Sequence, residues 1–245
     1  MLTLNTADGM ALLTMNRPAQ RNAMSSELVR RMIEAFDTLD AAPEVRVVIL
    51  TGAGNGFCAG SDLGGLAEMS AAQRRNFEAE SGRLARLISA LGKPVIAAVD
   101  GFAIGGGLTL AAACDLTVSQ RDAKWSLPEV PIGLFPAWGL AAVVDRVGRP
   151  VAKRLSFGME VLNGEEAHRL GLVDYLVETN SLARAYEIAA RLAGLPAMQT
   201  GLVKEYFAHD PRDGETSDLL ANRLFMRAAL TGEAQAAFRK FASKK

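Results

Sequence analysis

The segment KPVIAAVDGFAIGGGLTLAAACD, Lys93 to Asp115, constrains the fold more than any other part of this chain. Lys93 to Val99 reads as a short buried strand, because a compact apolar run bounded by turn residues has few other stable uses. Three consecutive glycines, Gly105 to Gly107, then lead into Leu108 to Ala113, which reads as the first turns of a helix built from small residues. The amides at such a helix start have no partner inside the helix and can serve a ligand. A dinucleotide fingerprint and a phosphate loop both fit badly. No G-x-G-x-x-G register with an acidic residue some 20 positions on can be laid over Gly101 to Gly107, and no Lys-Ser or Lys-Thr follows. An oxyanion hole and a plain packing device for helix on strand both stay open on these residues alone.

The first half of the chain alternates strand and helix signals, the pattern of a sheet covered by helices. Ala11 to Met15 is strand-like. Ser25 or Ser26 is placed to cap a helix with Leu28, Met32, Ala35, Phe36 and Leu39 on its apolar face. Val45 to Gly52 is the clearest buried strand, and Gly52 to Gly56 the clearest turn. Phe77, Leu84, Leu87, Ile88 and Leu91 mark a second amphipathic helix that Gly92 and Pro94 stop. Beyond Ala137, short helices are expected at Leu140 to Val147, Val151 to Phe157 and Glu165 to Leu170, with one strand at Val173 to Val177. After Ser181 the pattern is helical, with amphipathic stretches at Leu182 to Leu192 and Leu219 to Leu230 and a last helix at Ala234 to Ala242. The organisation expected is an α/β core over residues 1–180 and a helical cap or oligomerisation region over 181–245.

Composition narrows the function. With 27 basic and 27 acidic residues among 245, the formal net charge is zero, which speaks against broad nucleic-acid binding. Two cysteines, Cys58 and Cys114, are too few for a secreted disulfide scaffold. The amino terminus lacks a signal-peptide pattern and no apolar run is long enough to span a membrane, so a cytoplasmic protein is expected. His168 and His209 stand 41 residues apart outside any metal-ligand spacing, so neither a metal site nor a histidine triad is expected.

A second glycine-bearing loop, Gly54 to Leu66, follows the strand that ends near Thr51, as the triple glycine follows the strand that ends at Val99. Ligands commonly bind outside the carboxyl ends of strands, and one amide from each loop could meet on a single oxygen. Five motifs, in order, carry a resemblance that runs nearly end to end. They are NRPAQRNAM (Asn16 to Met24), FCAGSDL (Phe57 to Leu63), the Lys93 to Asp115 segment, LPEVPIGLFPAWG (Leu127 to Gly139) and GEEAHRLGLVD (Gly164 to Asp174). The chain resembles the enoyl-CoA hydratase/isomerase family, the crotonase superfamily. The resemblance implies an α/β fold of the ClpP/crotonase type, a spiral of ββα units with a C-terminal all-helical region. It implies a homotrimer or dimer of trimers, and a coenzyme A thioester as substrate with no further cofactor.

Carried over residue by residue, the resemblance puts the two oxyanion amides on Ser61 and Gly106. It puts Ala23, Ala59, Asp62, Leu63 and Gly64 along the coenzyme A channel, with Asp62 also expected to bond its own loop amides. Arg17, Arg21 and the basic residues Arg239, Lys240, Lys244 and Lys245 are candidates for the coenzyme's phosphates. Hydratases of the family carry two glutamates. One matches Glu129, but the other falls on Thr109, a poor acid or base near pH 7. Isomerases of the family resemble this chain in keeping the Glu129-type residue alone. Enoyl-CoA isomerisation with Glu129 as proton shuttle is therefore the leading expectation. A weakened hydratase is the alternative, and a non-catalytic acyl-CoA-binding scaffold is an alternative of another class. The Pro136-Ala137-Trp138 segment lacks the nucleophilic aspartate of dehalogenating relatives.

Overall fold

The computed structural model describes residues 1–208 and Gly232. The helices expected at 219–230 and 234–242, the basic residues at 239–245 and His209 lie outside the described residues.

Six strands make the main sheet. β1 (Leu2–Ala7) and β2 (Met10–Met15) form an antiparallel hairpin, and β2 then pairs in parallel with β3 (Val47–Gly52). β4 (Val95–Val99), β6 (Leu116–Gln120) and β8 (Tyr175–Val177) follow, all parallel, so the order is β1-β2-β3-β4-β6-β8. Two three-residue strands, β5 (Phe102–Ile104) and β7 (Lys124–Ser126), pair in parallel beside it. Every residue of β4 is buried, which is why VIAAV reads as a run rather than an alternation.

Helices cover both faces. α1 (Ser26–Ala41) begins where the Ser25 hydroxyl accepts from the Leu28 amide at 3.2 Å, and it buries Leu28, Met32, Phe36 and Leu39. α3 (Ala71–Ala90) packs beside it, opened by a capping box between Ser70 and Gln73. Both lie on the face that carries Val48, Leu50, Val95 and Ala97. α7 (Ser181–Ala193) covers the opposite face, where Ala185, Ile188 and Ala189 meet Val47, Ile49, Ile96 and Val118. The start of the helical tail is thus a layer of the body.

The remaining described helices are α2 (Leu63–Glu68), α4 (Gly106–Ala112), α5 (Leu140–Ser156), α6 (Gly164–Leu170) and α8 (Ala197–Ala208). α5 consists of two helical segments that meet in a kink at Gly148 (φ 71°, ψ 162°), matching the two short helices expected on either side of it. β1, α2, β5, β6 and β7 are additions to the sequence reading. No helix among the described residues is long and apolar enough to cross a membrane.

α8 is tied down by an ion pair whose lysine is buried and whose carboxylate reaches solvent. The Lys204 ammonium lies 2.8 Å from both Asp115 carboxylate oxygens and donates to the Ile88 carbonyl at 3.0 Å. Burial raises the Asp115 carboxyl even against the pull of Lys204. Lys204→Met leaves that carboxylate, which solvent reaches in part, without its cation, at a cost of about 1–3 kcal/mol. Urea unfolding at neutral pH should show this loss, and the deficit should shrink in acid as Asp115 takes up a proton.

Candidate active site

The NRPAQRNAM motif works as a clamp. Asn22 is buried, and its amide nitrogen donates to the carbonyls of Ala53 (2.9 Å) and Gly56 (2.8 Å), while its oxygen accepts from the Arg17 amide at 3.0 Å. Met24 then runs alongside the second loop, donating to the Gly60 carbonyl at 2.8 Å and accepting from the Asp62 amide at 2.9 Å. On the other side of that loop, Ile104 donates to the Cys58 carbonyl at 3.0 Å. The Gly60-Ser61 peptide is thus held between Met24 and β5 by backbone bonds before any ligand arrives.

The triple glycine is demanded by contact. Gly105 has φ 54° and ψ −125°, and a Cβ there would stand 2.7 Å from Glu129 Oε1. A Cβ on Gly107 would stand 2.2 Å from the Cys58 carbonyl oxygen, so α4 lies against the Cys58 loop as only glycine permits. Gly106 is roofed by Met24 and Trp138, each 2.7 Å from where its Cβ would be.

The two loops come together. A Cβ built on Gly60 would lie 3.2 Å from the Gly106 nitrogen. Among the described residues, the Ser61 and Gly106 amides donate to no acceptor, whereas the Leu108 and Thr109 amides both donate to the Gly105 carbonyl. Two uncommitted donors from the ends of neighbouring strands are what an oxyanion hole requires.

Glu129 arrives through strand pairing. In the β5–β7 pair, Ile104 stands opposite Ser126, so the residues that follow each strand, Gly105-Gly106 and Pro128-Glu129, emerge side by side. Glu129 Oε2 is buried without a hydrogen-bond partner. Burial raises its carboxyl above the ordinary value of 4.5, opposed in part by its own backbone amide and reinforced by the charge of Glu78. These groups line one cavity of about 620 Å³ whose walls are largely apolar, among them Leu66, Ile132, Leu134, Phe135 and Trp138. Its size suits a small organic ligand.

The candidate residues do not all meet there. Ser61, Gly106, Glu129, Ala59 and Leu63 line the cavity, whereas Ala23, Asp62 and Gly64 do not. Asp62 caps α2 by accepting from the Gly65 amide at 3.2 Å and receives the Arg17 guanidinium at 3.0 Å, and these bonds hold its carboxyl below the usual range. Arg17, a candidate for phosphate, is engaged by Asp62 and the Ala23 carbonyl. Arg21 lies over the Phe102 ring, 4.4 Å from its centre. Thr109 is buried and lines the cavity, but its hydroxyl donates to the Gly106 carbonyl at 3.1 Å and so stiffens the first turn of α4. Burial pushes the Cys58 thiol up to about 12, which keeps it a packing group beside Gly60.

Arg74 and Glu78, both on α3, also line the cavity and were not singled out by the sequence. Locally, Glu78 looks like the flank of an amphipathic helix beside Phe77, and only the tertiary packing brings it to the loops.

The model of the enoyl-CoA hydratase/isomerase family matches residues 5–245. A crotonyl-CoA hydratase of Syntrophomonas wolfei is 37% identical over 194 residues, 78% of this chain and 75% of that protein. A short-chain-enoyl-CoA hydratase of Clostridium acetobutylicum is 37% identical over 198 residues, 80% of this chain and 76% of that protein. The crystal structure of an enoyl-CoA hydratase of Mycobacterium smegmatis superposes with a TM-score of 0.93 at 30% identity, covering 100% of this chain and 96% of that one.

Proposed function

The chain belongs to the enoyl-CoA hydratase/isomerase family, and we propose from its site that it is an acyl-CoA enzyme working through a thioester enolate, with allylic isomerisation of 3-enoyl-CoA to 2-enoyl-CoA as its reaction. The observation that carries this reading is the pairing of two uncommitted amides, Ser61 and Gly106, with the Glu129 carboxylate, whose Oε2 is buried without a hydrogen-bond partner, at the position adjoining Gly105.

The thioester oxygen accepts from the Ser61 and Gly106 amides. Glu129 in its ionised form takes the C2 proton, and the charge that develops on the oxygen is met by donors already in place. Returning a proton at C4 completes the shift of the double bond, and one carboxylate can in principle serve both ends. The Thr109 hydroxyl, committed to the Gly106 carbonyl, supplies no second acid or base. The hydratase names of the relatives favour syn-hydration as a second reading, which needs a water held and activated by a group other than residue 109.

The two readings separate in assays with 3-enoyl-CoA and 2-enoyl-CoA of several chain lengths. Isomerisation of the 3-enoyl substrates is expected to exceed hydration of crotonyl-CoA in kcat/KM. Rapid crotonyl-CoA hydration with untouched 3-enoyl substrates would overturn the proposal. Because burial raises the Glu129 carboxyl, and the reaction needs it ionised, the acid limb of kcat/KM should fall above the pH at which an ordinary glutamate with pKa 4.5 titrates.

A further inference from the structure

The cavity holds a second carboxylate. Arg74 and Glu78 stand four residues apart on α3, a spacing at which opposite charges ordinarily pair. Here the Arg74 guanidinium turns away and donates to the carbonyls of Leu66 (2.8 Å) and Ala67 (3.1 Å) near the end of α2. Glu78 is left without a hydrogen bond or ion pair among the described residues and lines the same cavity as Glu129, Ser61 and Gly106. One turn further along α3, a Cβ on Gly82 would come 3.6 Å from Trp138 Cβ, and the Trp138 ring roofs Gly106. The face of α3 that carries Glu78 is therefore aimed at the site. Arg74, Glu78 and Glu129 are the charged side chains of the lining.

We propose that Glu78 is a catalytic residue that exchanges the proton at C4 of the enoyl chain while Glu129 exchanges the one at C2. The assignment rests on the enolate reading above and divides its proton transfer between two groups. Glu129 adjoins the Gly105-Gly106 peptide and so the carbonyl end of the substrate. Glu78 enters from the wall formed by α3. Burial raises the Glu78 carboxyl, and the two carboxylates repel one another across the cavity, which favours a pair holding one proton.

The step balances. Ionised Glu129 removes the C2 proton, and the C–H electron pair forms the C1–C2 double bond of a dienolate whose oxygen is held by the two amides. The oxygen's electrons then restore the C=O bond, the C1–C2 pair shifts to C2–C3, and the former C3–C4 π pair takes the proton of neutral Glu78 at C4. Glu129 ends protonated and Glu78 ionised. Proton exchange with solvent at the cavity mouth resets the pair.

The test compares Glu78→Gln with the wild type in two reactions. One is isomerisation of a 3-enoyl-CoA. The other is wash-in of deuterium at C2 of butyryl-CoA in D2O, which needs Glu129 and the two amides but no C4 chemistry. Glu78→Gln is expected to slow isomerisation about 100-fold while C2 exchange stays within about threefold of wild type. Isomerisation within about threefold of wild type would overturn the assignment, as would equal loss of both reactions. A wild type that neither isomerises nor exchanges would instead overturn the enolate reading, so the two failures are distinct.

Discussion

Glu129→Gln is expected to lower kcat by about 10²- to 10⁴-fold, the range typical of a lost general acid–base group. Acyl-CoA binding and the fold should survive. Glutamine fills the same volume, and Oε2 makes no hydrogen bond that the change would break. The stability effect has a definite sign. A carboxyl whose folded-state pKa is raised supports the fold below its unfolded value and loses that support as pH rises through the folded value. At neutral pH the wild type carries a partly buried, unpaired carboxylate that the variant lacks. Thermal unfolding of Glu129→Gln should therefore match or exceed that of the wild type at pH 7, with the difference vanishing in acid. A variant that turns over 3-enoyl-CoA at the wild-type rate would remove Glu129 from the mechanism.

Gly105→Ala should rival that loss by another route. A methyl group at φ 54° strains the backbone, and it would occupy a point 2.7 Å from Glu129 Oε1. Either Glu129 swings out or the Gly105-Gly106 peptide turns, and the turn re-aims the Gly106 amide. Losing one such donor alone lowers kcat by about 10²- to 10³-fold, and the strain costs on the order of 1–3 kcal/mol of stability. Single-turnover rates measured beside acyl-CoA affinity would show chemistry falling further than binding. Gly194→Ala, where φ is −77° and the new Cβ meets only carbonyl oxygens at 3.6 Å or beyond, is the matched control and should leave both unchanged.

Much of this arrangement was legible in the sequence because it depends on local pattern. The run VIAAV is buried on both faces, and the strand read over Lys93 to Val99 holds it with two residues to spare at its start. Ser25 and the spacing of Leu28, Met32, Phe36 and Leu39 gave α1 together with its cap. β1 escaped the reading although Leu2-Thr3-Leu4-Asn5 alternates apolar and polar residues and Asp8-Gly9, both at positive φ, is a hairpin-turn signal; five of its six residues are exposed, so no buried run marks it. β5 and β7, three residues each, are shorter than any periodicity can register, yet their pairing is what sets Glu129 beside Gly105. Glu78 escaped for a related reason. Its role depends on where α3 crosses the two loops, and no local pattern separates it from an ordinary helix flank. Arg17 read as a free cation, and only the fold shows it bonded to Asp62.

The covering of the sheet by α7 carries a kinetic consequence for synthesis in the cell. Val47 and Ile49 of β3 leave the ribosome well over a hundred residues before Ile188 and Ala189, which they pack against. At ordinary elongation rates that gap lasts on the order of 10 s. Throughout it the back of the nascent sheet has no native cover, so this face is the natural place for a chaperone to hold the growing chain.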